Sequence, residues 1–246
     1  MNRFDTKTHG SPSTRSGGEE REYFVVDDLA HIPSAELRPM VGGLGPWIKI
    51  RLRRLLARTK FQPSYVIELR RMTKSKHIPK RMEKHFDTLR LDLEHLSFTS
   101  NFDASLPAVG PYVTALMAMS RRDGDIHFVA QRVTRQEAGE LIDESNFRFL
   151  SWLSDGGLLV TTTQTHLPRP RAGLDVSTVV SEDPGLVLKK HRERIRKLQV
   201  ENVPPAELFD RLDAENRKHA EDLLRRDIVR LATPAEVARI RTELRV

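Results

Sequence analysis

The sequence contains no cysteine. Disulfides, thiolate nucleophiles and thiolate-held zinc or iron–sulfur centres are thereby excluded. Long apolar runs are missing as well. The longest uncharged stretch, Ala104–Ser120, has 17 residues, only moderately apolar, and is interrupted by Pro107, Gly110 and Pro111. A membrane-spanning helix needs about 20 predominantly apolar residues, so this stretch is not read as one. The opening residues, MNRFDTKTHGSPSTRSGGEERE, lack the apolar stretch of a secretory signal. The expectation from these absences is a cytoplasmic protein.

Signatures of catalysis are lacking too. No two of the nine histidines stand four apart around a glutamate, and there is no Gly-x-Ser-x-Gly and no Asp-rich calcium loop. His85, Asp92 and His95 read as exposed helix residues and not as a metal set. Gly42-Gly43-Leu44-Gly45 precedes a basic helix, as phosphate loops do. It lacks the Gly-Lys-Ser/Thr ending and the six-residue dinucleotide pattern, so it reads as a connector. Ser151, Ser154 and Thr161–Thr163 are ordinary strand hydroxyls. His191, on an apolar stripe, reads as a satisfied buried or boundary histidine and not as a catalyst. No cofactor or metal is expected, and the protein reads as non-enzymatic.

What the sequence does have is positive charge in one place. The chain is 30% charged and carries a formal net charge of +7. Lys49–His85 alone holds thirteen Lys/Arg and two acids, a local +11, which leaves −4 for the remainder. Charge this localised points to an anionic partner. At the head of the segment stands KIRLRRLLARTK, preceded by Gly45-Pro46-Trp47-Ile48. On a helical wheel Ile48, Leu52, Leu55, Leu56 and Thr59 share an arc of about 100°, and cations cover most of the rest, with Ile50 the apolar exception.

The residues expected to meet the anionic surface are Lys49, Arg51, Arg53, Arg54, Arg58 and Lys60. Those expected to insert into a membrane are Trp47, Leu52, Leu55 and Leu56. Trp47 and Phe61 at the two ends suit interfacial anchoring and do not form a base-stacking platform. The expected partner is an anionic membrane surface or an acidic protein, with nucleic acid as the alternative.

The rest of the chain reads as α+β: an antiparallel sheet of about six strands flanked by helices, with a disordered N-terminal tail and a C-terminal helical hairpin. Residues 1–22 form the tail, 23–78 a basic connector with the amphipathic helix, 79–200 the core domain and 201–246 a helical appendage. Met82, Phe86, Leu89 and Leu93 make a helical stripe. Leu96, Phe98, Ser100 and Phe102 switch to period two. Asp123-Gly124 and Asp155-Gly156 sit between apolar runs and signal two tight hairpins. A further strand runs through Leu174, Val176 and Thr178. A helix then starts at Asp183-Pro184 with the stripe Leu188, His191, Ile195 and Leu198.

Met82, Phe86, Leu89, Leu116, Trp152, Val160, Val176 and Leu188 are expected to share one core. After Pro204-Pro205 an apolar stripe starts at Leu208 and Leu212 and resumes at Leu224, interrupted by Glu215, Asn216 and His219. Thr233-Pro234-Ala235-Glu236 reads as a capping box. The order helix, antiparallel strands, closing helix is similar to helix-grip ligand-binding folds. That resemblance implies a ligand cavity between the sheet and a C-terminal helix.

Overall fold

The computed structural model describes residues 24–27, 32–55, 64–67, 73–74, 78–109, 112–137, 140–165 and 167–236, with 238 and 242. In chain order they form β1 (Phe24–Asp27), α1 (Ser34–Met40), α2 (Leu44–Leu55), β2 (Ser64–Ile67), β3 (Thr73–Lys74), α3 (Lys80–His95), β4 (Phe98–Val109), β5 (Tyr112–Arg121), β6 (His127–Glu137), β7 (Glu140–Trp152), β8 (Leu158–Thr162), β9 (Leu174–Thr178), α4 (Pro184–Ile195), α5 (Leu208–Arg225) and β10 (Val229–Leu231). Residues 1–22, expected as a tail, lie outside the described residues.

The class is α+β. The main sheet runs β3-β4-β5-β6-β7-β8-β9, and a small second sheet runs β10-β1-β2. The expected antiparallel sheet needs one correction. β3 to β8 are antiparallel throughout, but β9 lies parallel to β8, with Leu158 opposite Leu174 and Thr162 opposite Thr178. The sheet is therefore mixed. Residues 163–173 carry the chain back along the sheet before β9 sets out, so β9 repeats the direction of β8. Alternation of apolar residues is the same for either direction and does not distinguish them.

Both Asp-Gly hairpins form. Gly124 has φ 68°, and its N–H donates to Arg121 O at 3.0 Å. Gly156 has φ 83°, and its N–H donates to Leu153 O at 2.9 Å. Positive φ is the conformation that makes glycine the residue for these turns.

Strand parity divides the side chains of the main sheet between two faces. On the first, α3 lays Met82, Phe86, Leu89 and Leu93, and α4 lays Val187 and Leu188, over Met117, Met119, Phe128, Phe147 and Phe149. On the second, Leu116, Val129, Leu150, Trp152, Leu158 and Val160 meet Val203 and the first turns of α5 through Leu208, Phe209 and Leu212. The residues expected to share one core are thus split. Met82, Phe86, Leu89 and Leu188 lie on the first face, while Leu116, Trp152 and Val160 lie on the second, with Val176 against them.

A bulge contributes to this division. The β4–β5 register shifts between Ser100 and Phe102, which reverses the parity of β4. Phe98 therefore joins the first face and Phe102 the second, where it meets the Phe209 ring edge-on at 5.1 Å between centroids.

Of the expected C-terminal helical hairpin, the second helix lies mostly outside the described residues. α5 closes the second face and is followed by β10, which pairs with β1. Residues 23–78, expected as a connector, supply β1 and β2 of the small sheet, the edge strand β3, and both α1 and α2. A third cluster of Ile32, Leu37, Leu223, Ile228 and Val229 joins α1 to the end of α5. Glu36 of α1 seals that junction, ion-paired with Arg226 at 2.6 Å and accepting the Arg169 N–H at 2.7 Å.

Candidate functional site

α2 begins after Gly43 and holds Pro46 in its first turn, where a missing N–H costs nothing. It buries no residue fully. One side leans on the third cluster: Trp47 and Ile50 are partly buried there, and Trp47 Nε1 donates to Ser34 O at 3.1 Å. Arg54 lies on the same side and donates to Ile32 O at 2.9 Å. Arg51 stacks over Trp47, 4.9 Å from the ring centroid, a cation–π contact.

The opposite side carries a ridge of Leu44, Ile48, Leu52 and Leu55, with exposures of 54%, 42%, 53% and 79%. At 100° per residue these four span an arc of about 80°. Lys49 borders it on one side and Arg51 on the other, both exposed; Arg53, also exposed, lies farther round beyond Lys49. The expected site residues therefore separate. Leu52, Leu55, Lys49 and Arg51 share the outer side; Arg53 is exposed but about 140° from the centre of the ridge. Trp47 and Arg54 are turned to the protein, so neither is placed to meet a surface with the ridge. Ile50, the exception on the predicted wheel, is packed because the helix rests on that side. Leu56, Arg58, Lys60 and Phe61 lie outside the described residues.

Two histidine–hydroxyl networks were not anticipated. His191 of α4 is fully buried between Ser151 and Thr161 of the sheet. Arg194 donates to Thr161 Oγ1 at 2.8 Å, Thr161 donates to His191 Nδ1 at 2.9 Å, His191 Nε2 donates to Ser151 Oγ at 3.0 Å, and Ser151 donates to Asp125 O at 2.7 Å. Each donor finds an acceptor only if the imidazole is neutral with its proton on Nε2. Burial, reinforced by the Arg194 charge, pushes its pKa down to about 3.

In the second network Asn101, at the β4 bulge, donates to Ser120 Oγ. Ser120 donates to His127 Nδ1 at 2.7 Å, and His127 Nε2 donates to Gly124 O at 3.1 Å. Burial lowers this histidine to about 4. Both serines have a histidine in reach, as a nucleophile requires. Both are fully enclosed, however, and Ser151 directs its proton away from the ring to a carbonyl. These are structural networks.

On the outer part of the first face, His85 meets Ser145 Oγ at 2.8 Å beside the Arg132–Asp143 ion pair. Desolvation and the Arg132 charge lower its pKa, and the Arg132 hydrogen bond lowers that of Asp143. Asp92 and His95 are exposed. Among the described residues no three His, Asp or Glu come together as a metal site, and no helix is long and apolar enough to cross a membrane. Compared with family models, curated proteins and solved structures, the chain matches none, so the resemblance to helix-grip folds gains no support there.

Proposed function

We propose that the protein docks on an anionic membrane surface through the outer side of α2, as a peripheral, non-enzymatic binding or scaffold protein of the cytoplasmic compartment. The observation that carries this reading is the exposed ridge of Leu44, Ile48, Leu52 and Leu55 set between Lys49 and Arg51, with the exposed Arg53 beyond Lys49. An apolar strip bordered by cations matches a lipid interface, where leucines enter the acyl boundary and cations meet headgroup phosphates. Each basic residue near such a surface contributes about 1 kcal/mol, and inserted apolar area adds about 25 cal/mol per Å².

Three other occupants fit less well. A nucleic-acid backbone would use the cations and leave the leucines in water. A second copy of α2 laid on the first would bring like charges together along both borders. An acidic protein satisfies the cations, but the ridge then requires a matching groove.

Flotation with vesicles of phosphatidylserine and phosphatidylcholine, against phosphatidylcholine alone, tests the proposal. Wild-type protein is expected to float with the anionic vesicles only, and less so as salt rises. Leu52→Glu with Leu55→Glu should abolish flotation, and Lys49→Glu with Arg53→Glu should weaken it. Salt-sensitive binding to duplex DNA without vesicle binding would transfer the site to nucleic acid.

A further inference from the structure

The sum of −4 outside residues 49–85 conceals a second basic run. Residues 184–199, PGLVLKKHRERIRKLQ, hold six cations and one acid. They form α4 and the turn after it. Val187, Leu188 and His191 are the inward side, buried against the main sheet. Arg194 is turned toward the sheet as well, donating to Thr161 Oγ1 at 2.8 Å and pairing with Asp175 at 2.9 Å.

The other five cations, Lys189, Lys190, Arg192, Arg196 and Lys197, are all exposed. At 100° per residue they fall within an arc of about 160° opposite the buried side. Arg196 keeps helical φ and ψ just past the last residue of α4, so the face continues through it. Within the arc Glu193 is the one carboxylate, paired with Lys190 at 3.0 Å. Lys189, Arg192, Arg196 and Lys197 have no hydrogen-bond or ion-pair partner among the described residues. Solvation of a helix does not require this imbalance: α3, on the same face of the sheet, carries four Lys/Arg and four Asp/Glu. The helix dipole favours cations in the last turn, yet Lys189 and Lys190 stand before it.

The face also differs from that of α2, because no apolar ridge runs between its cations. A lipid interface would find one large apolar residue in the arc, Leu186, 43% exposed. A polyanion needs none. Lys189, Arg192 and Arg196 follow one another at rises of about 4.5 and about 6 Å along the axis. A duplex offers a phosphate about every 3.4 Å of its rise on each strand, so a row of this length meets several whatever the base sequence.

We propose that the outward face of α4 binds the phosphate backbone of duplex nucleic acid without sequence preference. The surface lies on a different helix from α2 and does not rest on membrane docking.

The test follows the fluorescence anisotropy of a short labelled DNA duplex titrated with the full chain. With the four free cations engaged, affinity should fall roughly 10²-fold between about 50 and about 200 mM salt. Arg192→Gln with Arg196→Gln should weaken binding and flatten the log–log salt slope by about two. The same variant should melt as wild type does, since both positions are exposed, and should still float with phosphatidylserine vesicles. Lys49→Gln with Arg53→Gln on α2 should keep the wild-type DNA slope. The proposal fails if wild-type protein ignores the duplex at the lower salt, if the α4 variant keeps the wild-type slope, or if the α2 variant loses it instead. Loss of flotation in the α4 variant with DNA binding intact would assign the face to the membrane.

Discussion

His191 and His127 each use both ring nitrogens in the interior, and the direction of each hydrogen-bond chain requires a neutral ring. Their folded pKa values, about 3 and about 4, lie below the ordinary 6.5. The unfolded chain therefore binds more protons between these limits. The stability that neutrality contributes is complete above pH 6.5 and is lost as pH falls toward the folded values. By pH 5 the loss is about 2 kcal/mol for each histidine. His85 and His219 are also depressed and act in the same direction. Asp222 is held lower than an ordinary aspartate, and Glu236 sits at about 2 through Arg230. Urea unfolding at pH 7 and pH 5 should thus show a falling stability that His191→Gln makes shallower. An unchanged slope in that variant would mean the ring is charged in the fold.

Also at this scale, Leu89→Ala or Leu188→Ala should lower stability by about 2–5 kcal/mol, because both are buried on the first face. Gly124→Ala should cost more than about 1 kcal/mol. Its φ is positive, and an added Cβ would stand 2.7 Å from Val203 O. Single residues were the hardest part to read from sequence. His191 was legible as a satisfied buried or boundary histidine, since it interrupts an apolar stripe; the structure buries it fully. Its partners Ser151 and Thr161 are 40 and 30 residues away, and only the register of β7 on β8 brings them together.

Helices and hairpins were legible where the signal is local. The Met82/Phe86/Leu89/Leu93 stripe, the Asp-Gly turns and the Asp183 cap each involve residues within a few positions of one another. Asp183 accepts the Gly185 N–H at 2.8 Å, as a cap should. The capping box is also present: Glu236 N donates to Thr233 Oγ1 at 3.3 Å, and Thr233 N donates to Glu236 Oε2 at 2.8 Å. The orientation of α2 was only half legible. A wheel shows an apolar arc and not which side the protein takes, and Trp47 and Ile50 hold the opposite side from the one the arc suggested. Replacing Leu44 or Leu55 by Ser should therefore change stability by less than about 0.5 kcal/mol, as for exposed positions. Trp47→Ala should cost about 1–3 kcal/mol, since it removes packing and a hydrogen bond. Denaturant midpoints check both. Equal losses on the two sides would mean that the ridge is packed after all.

At the scale of the whole molecule the sheet needs helices on both faces, and α5 supplies the second. Deleting residues 204–246 should therefore yield insoluble protein, because Leu116, Val129, Leu150 and Val160 would lose Leu208, Phe209 and Leu212. A soluble, cooperatively folding fragment would show that the second face stands without α5. This layer was not legible from the sequence. The break at Pro204-Pro205 reads as a boundary, and the interrupted stripe of α5 looks too weak for a core helix. It is interrupted because α5 spans two clusters with a polar stretch between them.

The absence of cysteine makes the docking proposal directly measurable, since any introduced cysteine carries the only label. Leu55→Cys, bearing an environment-sensitive fluorophore, is compared with the same label at Leu91→Cys, an exposed position of α3. With phosphatidylserine-containing vesicles at low salt, the label at 55 should shift to the blue and the label at 91 should not; neither should shift with phosphatidylcholine alone. No shift at 55, or equal shifts at both positions, would contradict docking through α2.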